Sequence, residues 1–546
     1  NPAGNSGCDN CKWPGERPWL AWLQKWDGWF WGIVALVGLA FLLRAWQIGT
    51  IPFTLGGDEG SQGLEALRVI NGGLRNPFTT GWLGVPTMSF FFNSLSLRLL
   101  GPTITALRLP WAFVGTATVL VAYLLVKQMA GRGMGLATAV LLATYHYHIH
   151  YSRLGSNQVA DPLFLALALL FLMRAHDGRK RLDWALLGVV TGLAFYFSAG
   201  ARLTPVVVTA VLGYWVVLGP RRFGREHGGG LLVAVWAFLL VASPMIQYAT
   251  RFPGDFNARL NQVGIIQSGW LEREVGVRGE SMARILFDQF QRAALAFNYY
   301  PDRTVWYGLR GPLLDPFFGG LFLLGLLYGT LRLFTPLVGR RIAPMVVWWW
   351  GGMILGGMLT ESPPSSQRLI SLAVPTCFFL AFILYELLKM ARQALGQVPQ
   401  KAILAVILAV FAFTSLKTYF VDYTPLRFYG GTNAEMATQI APLLNELKYD
   451  HEFRFVGAPW MYWGFATLPY LVQDAVARDV IDPLTESALP DLRPADNGVV
   501  FIVIPQRQAE LDFLIEPAFP DGVRRAIYSP VDGRLLAILY QLPPSR

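Results

Sequence analysis

Two adjacent acids, Asp58 and Glu59, follow the first long apolar run of the chain, residues 29–46. That run is long enough to cross a bilayer, so the acids are expected at one membrane face. One interpretation is helix capping, because an aspartate ahead of a helical pattern is a good N-cap and a glutamate in the first turn favours the helix dipole. The preceding glycines, Gly56 and Gly57, instead favour a close approach of the backbone to another group. In that setting the carboxylates suit a general base for a hydroxyl acceptor, and we predict both as catalytic residues.

An arginine, Arg153, ends the tract 145–153, which is rich in tyrosine and histidine. A guanidinium at a helix end can hold a phosphate through two hydrogen bonds. Asp161 lies just inside the next apolar run, where an acid is costly unless it is paired or hydrated, and Arg153 is its nearest candidate partner. His146 and His150 share a helical face and could bind a divalent metal, but an aromatic belt at the membrane interface is the commoner reason for such a tract. We therefore assign no metal ligands.

Further polar residues stand at the ends of other apolar runs. They are Tyr196, Arg202, Arg303 and Arg368. Each alone is typical of an interfacial anchor whose polar head reaches the lipid headgroups. Together with Arg153 and Asp161, they supply an acid for a sugar or hydroxyl group and arginines for a lipid phosphate. We predict that these six residues bind the phosphate and sugar of a donor.

The composition is that of a polytopic membrane protein. Of 546 residues, 53% are hydrophobic and 15% are charged, whereas about a quarter of a soluble protein is charged. The net charge of +10 does not indicate nucleic-acid binding, because lysine and arginine cluster in short loops between apolar runs, which is the orientation signal of membrane proteins. No small-residue cleavage pattern follows the first apolar run, so we expect no cleavable signal peptide. Cys8 and Cys11 form a lone Cys-x-x-Cys pair, which is half of a zinc site, and their role stays open.

About eleven apolar segments are long enough to be membrane-spanning helices. They are residues 28–46, 105–127, 133–149, 158–175, 184–199, 203–219, 230–249, 313–335, 343–360, 368–389 and 402–419. Residues 86–100 are shorter and carry Asn93 and Arg98, so we expect an interfacial or re-entrant helix there instead of a span.

Four basic clusters determine the expected sidedness. They lie at residues 174–181, 221–225, 340–341 and 389–401, and two spans separate each cluster from the next. All four can therefore lie on the cytoplasmic side together with the basic segment 1–27. The outer side then holds residues 47–104, the loop 250–312 and everything after about residue 420. Within that loop, residues 282–297 carry apolar side chains at helical spacing, which predicts a helix on the membrane surface.

The last part of the chain, residues 421–546, is more charged and has shorter apolar runs. Strands are predicted at 453–457, 499–504, 523–528 and 534–541, and helices at 433–447 and 507–516. Strands that alternate with helices indicate a small α/β domain. We therefore predict a cytoplasmic segment 1–27, an all-α polytopic membrane domain over 28–420, and a C-terminal extracytoplasmic α/β domain.

Several short motifs, in order along residues 28–390, resemble the GT-C glycosyltransferases that use polyprenyl-phosphate sugars. The resemblance is strongest to the protein O-mannosyltransferase and aminoarabinose-transferase branch. The motifs are Asp58-Glu59, Ala106-Leu107-Arg108-Leu109-Pro110, Tyr151-Ser152-Arg153, Gly192-Leu193-Ala194 with Tyr196 and Arg202, Leu314-Asp315-Pro316, and Pro364 with Arg368. Each motif alone is weak, whereas the ordered set within a matching topology is fairly specific.

The resemblance implies a GT-C fold and an inverting transfer of a sugar at the outer membrane face. The donor would be a polyprenyl-phosphate-linked sugar, and the acceptor a hydroxyl group of a protein, lipid or glycan. Asp58 would deprotonate or orient the acceptor, and Glu59 would support Asp58 or bind sugar hydroxyls. Arg153, Arg202 and Arg368 would neutralise the charge that grows on the leaving lipid phosphate.

The chain also departs from the aminoarabinose branch. Gly-Ser-Gln follows the acidic pair instead of Arg-Tyr, and Gly-Val-Pro at 84–86 replaces Lys-Pro-Pro. Two other functions stay open at this point. A transporter or lipid flippase would place its site near the midplane between broken helices. A non-catalytic subunit of a larger assembly would keep the fold without the chemistry. In each case we expect a multi-pass protein of the plasma (inner) membrane with no firmly assigned cofactor.

Overall fold

The computed structural model describes residues 28–492 and 497–544, and these residues are mostly helical. The segment 1–27, with Cys8 and Cys11, lies outside the described residues, so its predicted role stays a prediction. The helices before residue 420 are α1 (Gly28–Ala45), α2 (Gly57–Ile70), α3 (Met88–Leu100), α4 (Ile104–Ala130), α5 (Arg132–Thr144), α6 (His146–Ser152), α7 (Ala160–Gly178), α8 (Arg181–Leu193), α9 (Leu203–Val217), α10 (Pro220–Arg251), α11 (Pro253–Val263), α12 (Trp270–Arg278), α13 (Met282–Ala294), α14 (Pro316–Arg332), α15 (Pro336–Gly352), α16 (Ser366–Leu369), α17 (Ala373–Leu395) and α18 (Gln400–Lys417).

All eleven predicted spans fall on helices. Among the described residues, seven helical stretches are long and apolar enough to cross a membrane. They are Gly28–Ala45, Ile104–Ala130, Asn157–Gly178, Gly200–Val217, Pro220–Arg251, Ser366–Leu395 and Gln400–Leu426. The helices α5 and α14 are apolar but shorter. The chain is therefore a multi-pass membrane protein, while the number of crossings and the sidedness stay predictions.

Burial separates the helices into an inner and an outer set. Most residues of α4, α7 and α17 are buried, so these helices form the centre of the bundle. In contrast few residues of α1, α10 and α18 are buried. The exposed side chains of α10 include Leu232, Trp236 and Leu240. Lipid tails are as apolar as leucine, so these outer faces suit a lipid surrounding.

Helix starts follow local sequence signals. Thr103 caps α4, because its side chain accepts a hydrogen bond from the backbone of Ala106. Asp315 caps α14 in the same way, and Pro316 occupies the first helical position. The Leu-Asp-Pro motif therefore starts a helix in this chain. The predicted helix at 282–297 is observed as α13, with a short turn to Phe297 after it.

The C-terminal unit contains a mixed five-stranded sheet. Its strands are β1 (His451–Val456), β2 (Ala477–Asp479), β3 (Gly498–Val503), β4 (Val523–Tyr528) and β5 (Leu535–Leu542), and its helices are α19 (Gly431–Leu447), α20 (Thr467–Leu471), α21 (Gln508–Glu510) and α22 (Glu516–Ala518). The strand order is β2-β1-β3-β5-β4, with β1 parallel to both neighbours and β5 antiparallel to both of its own. The predicted α/β class of this part is confirmed, and β2 is an additional strand.

Side-chain alternation covers both faces of this sheet. On β3, Val500 and Ile502 pack toward α19, whereas Val499 and Phe501 pack on the opposite face, against Leu511. Successive side chains of a strand point to opposite faces, so a strand buried on both sides reads as a continuous apolar run. That run is what made β3 recognisable from sequence.

A glycine-lined seam joins the C-terminal unit to α2. A Cβ atom on Gly60 would lie 2.5 Å from the carbonyl carbon of Ala466, and one on Gly63 would lie 2.3 Å from the ring of Tyr470. Before the helix, a Cβ atom on Gly56 would lie 2.6 Å from the hydroxyl of Tyr429. The close approach that the double glycine predicted is therefore observed, and the partner surface belongs to the C-terminal unit.

Candidate active site

A cavity of about 450 Å³ opens beside the first turn of α2. Two acids and three arginines line it, namely Asp58, Asp161, Arg202, Arg259 and Arg368. Uncharged polar side chains of the same wall include Gln62, Asn157 and Gln367. Four of the eight residues predicted from sequence therefore converge here: Asp58, Asp161, Arg202 and Arg368.

Five helical segments bring these side chains together, and four of the five residues lie at or beside a helix end. Asp58 is the second residue of α2, and Asp161 is the second residue of α7. Arg202 directly precedes α9, Arg368 lies in α16, and Arg259 lies in the middle of α11. Because polar side chains at helix ends need not enter the apolar part of the bundle, this arrangement concentrates charge at one end of the helices.

Asp58 has no side-chain hydrogen bond or ion pair among the described residues. Burial raises the pKa of its carboxyl group, the positive charge of Arg259 partly counteracts that effect, and the adjacent Glu59 adds to the increase. A raised pKa brings a carboxylate closer to the range in which it accepts a proton efficiently. The capping interpretation of Asp58 is wrong, because Gly56 is the N-cap and Glu59 accepts the hydrogen bond from its backbone.

Glu59 is fully buried and does not line the cavity. Its two carboxylate oxygens accept hydrogen bonds from Arg108, at 2.8 Å from Nε and 2.9 Å from Nη2. They also accept the backbone N–H groups of Gly56 and Gly155. Arg108 in turn donates to the carbonyl oxygens of Ile48, Pro52 and Thr54. Glu59 thus joins the start of α2 to α4, and its carboxylate is not part of the cavity wall.

Arg153 is a second predicted residue that the structure places elsewhere. Its guanidinium is buried and donates to the carbonyl oxygens of Leu43, Trp46 and Ile51, at 2.6 to 3.1 Å. These acceptors belong to the end of α1 and the segment after it, so Arg153 closes that helix end. It neither lines the cavity nor pairs with Asp161, which instead lies beside Ser198 and the backbone of Ala201.

Tyr196 and Arg303 also lie outside the cavity. The hydroxyl of Tyr196 donates to the carbonyl oxygen of Val241 at 2.7 Å, which ties the end of α8 to α10. Arg303 is exposed on the loop after α13. Its neighbour Asp302 holds that loop instead, because it accepts hydrogen bonds from the backbone of Gly308 and from Ser366.

Several buried polar atoms at the cavity have no hydrogen-bond partner among the described residues. The donors are Nε and Nη2 of Arg202 and Nε of Arg368, and the acceptors are Oδ1 of Asp161 and Oε1 of Gln367. Leaving such groups unpaired is costly, so they indicate a polar ligand. A ligand with both an anionic group and hydroxyl groups would satisfy the two kinds of atom together.

Arg202 is held in place without using its whole guanidinium. Nη1 donates to the carbonyl oxygen of Phe256 at 2.8 Å, and the guanidinium carbon lies 3.9 Å from the centre of the Phe256 ring. Stacking on an aromatic face fixes a guanidinium and leaves its edge available. Arg368 is likewise fixed by Glu361, whose carbonyl oxygen accepts from Nη1.

Arg259 is the charged residue that the sequence analysis missed. Its helix, α11, packs on the turn at Gly84, whose positive φ and short contacts to Ala258 and Arg259 leave no room for a side chain. Backbone hydrogen bonds from Glu361 to Val263 and from Ile265 to Leu359 then join the end of α11 to the loop before Arg368. The signal for α11 was present, since a proline starts it and Asp255 lies in its first turn.

The histidines of the 145–153 tract take part in packing. His146 lies 2.8 Å from the hydroxyl of Tyr307, and His150 lies 2.7 Å from the carbonyl oxygen of Trp306. Over residues 28–492 and 497–544, no group of three or more His, Cys, Asp or Glu side chains has the arrangement of a metal site.

Comparison with known proteins gives a partial sequence match and the fold. The sequence profile described as dolichyl-phosphate-mannose-protein mannosyltransferase matches residues 84–248. Two structures of ArnT from Cupriavidus metallidurans match almost the whole chain. The apo form has a TM-score of 0.56 at 12% identity, and the match covers 96% of this chain and 98% of that chain. The form bound to undecaprenyl phosphate has a TM-score of 0.55 at 14% identity, and the match covers 94% of this chain and 98% of that chain. The chain therefore has the fold of the GT-C glycosyltransferases, and part of it matches the mannosyltransferase profile.

A third GT-C structure is the archaeal oligosaccharyltransferase AglB from Archaeoglobus fulgidus, in complex with an inhibitory peptide and a dolichol-phosphate. It has a TM-score of 0.50 at 12% identity and covers 96% of this chain and 77% of its own. Comparison with curated protein sequences finds no significant match. The identities are low, so the structural likeness shows the GT-C fold alone. The region matched by the profile contains Asp161 and Arg202 but neither Asp58 nor Arg259. The profile therefore covers only part of the cavity wall.

Proposed function

We propose that this GT-C protein transfers a sugar from a polyprenyl-phosphate donor to a hydroxyl acceptor at the outer face of the membrane, with inversion. One observation carries the proposal. Asp58, a carboxylate without a hydrogen-bond partner among the described residues, shares a cavity with Arg202, whose buried Nε and Nη2 also have no partner there and can bind an anion. A general base and an anion-binding guanidinium are the two groups that such a displacement needs.

The proposed step follows from these roles. The acceptor oxygen attacks the anomeric carbon, its proton passes to Asp58, and the bond between that carbon and the phosphate oxygen breaks. The electron pair of the broken bond leaves with the polyprenyl phosphate, and Arg202, with Arg259 and Arg368, stabilises the additional negative charge. One base and one stabilised leaving group suffice for a single displacement, which inverts the anomeric configuration.

Asp161 and the neutral side chains suit the sugar. Its Oδ1 atom and Oε1 of Gln367 are buried acceptors without partners, so they can receive hydroxyl groups. A Cβ atom on Gly200 would lie 2.0 Å from Oδ2 of Asp161, so the carboxylate is held against the backbone. The polyprenyl nature of the donor is supported by the bound undecaprenyl phosphate and dolichol-phosphate of the two structural relatives.

The decisive experiment is a transfer assay with purified protein, a polyprenyl-phosphate sugar and a hydroxyl acceptor. Asp58→Asn keeps the shape of the side chain but cannot accept a proton as a base. We expect its transfer rate to fall by about 10²- to 10⁴-fold, the range for general-base catalysis. Glu65→Gln is the matched control, because Glu65 lies on the same helix and pairs only with the exposed Arg68. Near-normal transfer by Asp58→Asn would remove Asp58 from the proposed role.

A further inference from the structure

A second charged cavity, of about 210 Å³, lies among residues that the proposed transfer does not use. Its wall includes His176, His227, Arg179, Arg222 and Arg340. Three of the four basic clusters of the sequence contribute to it, since these arginines come from residues 174–181, 221–225 and 340–341. The fold therefore gathers three separate parts of the chain into one basic site, which we call the basic cavity.

The basic cavity lies at the opposite end of the bundle from Asp58. In α7, Asp161 lines one cavity and His176 the other, separated by about 22 Å of helix. In α9 and the turn before it, Arg202 lines the first cavity and Trp215 the second. The same helices thus connect two sites that cannot share one small ligand.

The ion pairs around the basic cavity leave positive charge in excess. Asp177 pairs with Arg341 at 2.6 Å, and Glu226 pairs with Arg179 at 2.8 Å and Arg222 at 3.0 Å. The side chain of Arg340 has no hydrogen bond or ion pair within residues 28–492 and 497–544. Four arginines face two carboxylates, so two positive charges are not matched.

A buried histidine supplies an independent sign of a ligand. His227 is 4% exposed, and its Nδ1 atom has no hydrogen-bond partner in the described part of the chain. Its ring stacks on that of His176, with centroids 5.0 Å apart, and Trp215 lies 4.4 Å from His176 on another side. The ring is therefore held in place, and the residue that carries this unpartnered nitrogen lines the cavity.

We propose that the basic cavity binds a phosphate anion, of the kind that an anionic phospholipid headgroup presents at this membrane face. Arg340 and Arg222 would supply charge-assisted hydrogen bonds, and Nδ1 of His227 would supply or accept one more. The basic clusters predict that this end of the bundle lies on the cytoplasmic side. Basic pockets between membrane helices on that side attract anionic headgroups, because the cytoplasmic lipid surface is negatively charged. The cavity has room for several water-sized groups, enough for a phosphate with part of its glycerol.

The test uses native mass spectrometry of the full-length protein with added phosphatidylglycerol or phosphatidylcholine. We expect the protein to retain phosphatidylglycerol in preference to phosphatidylcholine. Arg340→Gln should weaken that retention about fivefold, the change expected for one arginine near an anionic surface. His227→Phe, which keeps an aromatic ring but removes the free nitrogen, should also weaken it. Arg392→Gln should bind as the wild type does, because Arg392 is exposed and belongs to the fourth cluster, outside the cavity.

Arg340→Gln removes no side-chain hydrogen bond or ion pair within the described chain, so the variant is expected to fold, and an unchanged thermal midpoint verifies this. Displacement of the lipid by millimolar inorganic phosphate would identify a soluble phosphate as the ligand, whereas resistance to displacement would identify the lipid headgroup. Equal retention of the two lipids, or retention unaffected by Arg340→Gln and His227→Phe, would overturn the proposal. The transfer reaction at Asp58 can fail without affecting any of these outcomes.

Discussion

Arg108 and Glu59 form a two-pronged ion pair in which both side chains are closed to solvent. Removal of one partner from such a pair leaves a buried charge unmatched, and this costs about 3–5 kcal/mol. We therefore expect Glu59→Gln to lower the free energy of unfolding by about that amount and to reduce transfer together with the folded fraction. Thermal unfolding in detergent measures the loss.

The contrast with Asp58 makes this prediction specific. Asp58→Asn should leave the thermal midpoint close to that of the wild type, because the Asp58 side chain has no hydrogen bond or ion pair to lose in residues 28–492 and 497–544. A Glu59→Gln protein that unfolds normally yet has no activity would instead show that Glu59 acts on the substrate.

The pH dependence of transfer should report Asp58. Burial raises its pKa above the ordinary value of 3.8, and Arg259 counteracts that increase. The base must be charged, so kcat/KM should fall as the pH decreases through the raised pKa. Arg259→Gln removes the counteracting charge, so the acidic limb of the profile should move to higher pH. A pH series with both proteins checks this, and a limb that stays in place would contradict the assigned coupling.

Arg202 should be sensitive even to a conservative change. Arg202→Lys keeps the charge but loses the planar fork that stacks on Phe256 and presents Nε and Nη2 to the cavity. If these atoms stabilise the leaving phosphate, kcat should fall by about a hundredfold, as for the loss of one donor to a developing anion. Arg303→Gln is the matched control, and steady-state kinetics of the two variants should differ clearly.

The glycine seam gives a prediction about stability. A methyl group on Gly60 would meet the backbone of Ala466 and Thr467 at 2.5 to 2.7 Å, and backbone cannot rotate away as a side chain can. We expect Gly60→Ala to reduce stability by about 1–3 kcal/mol, the usual cost of overpacking. Gly213→Ala, where no atom lies within 4 Å, should be neutral or slightly stabilising. Chemical unfolding, followed by tryptophan fluorescence, compares the free energies of unfolding of the two variants.

Much of the fold could be predicted because two periodic signals are strong in this chain. Apolar runs of span length located the membrane helices, and a continuous apolar run located β3. The strand β2 was missed because it has only three residues, Ala-Arg-Asp, and gains its order from pairing with β1. The helix α11 was missed because it is short and mostly polar, although Phe256, Leu260 and Val263 recur at helical spacing.

Part of the site could also be predicted from the apolar runs. Asp161, Arg202 and Arg368 were found because a charge at the end of an apolar run is unusual, and all three line the cavity. Asp58 and Glu59 could not be separated, since neighbours on a helix point about 100° apart and only packing decides which direction faces the cavity. The position of Arg153 could not be foreseen, because the carbonyl groups that accept its hydrogen bonds lie about a hundred residues away in sequence.

The contact of Gly60 with Ala466 has a consequence for engineering. No side chain separates the two backbones, so no change of side-chain rotamer at this contact can accommodate a different partner surface. A chimera that exchanges residues 421–546 for those of a relative would therefore need to import residues 56–63 as well. Otherwise a mismatched surface would tilt α2, and the carboxylate of Asp58 would be displaced from the cavity wall.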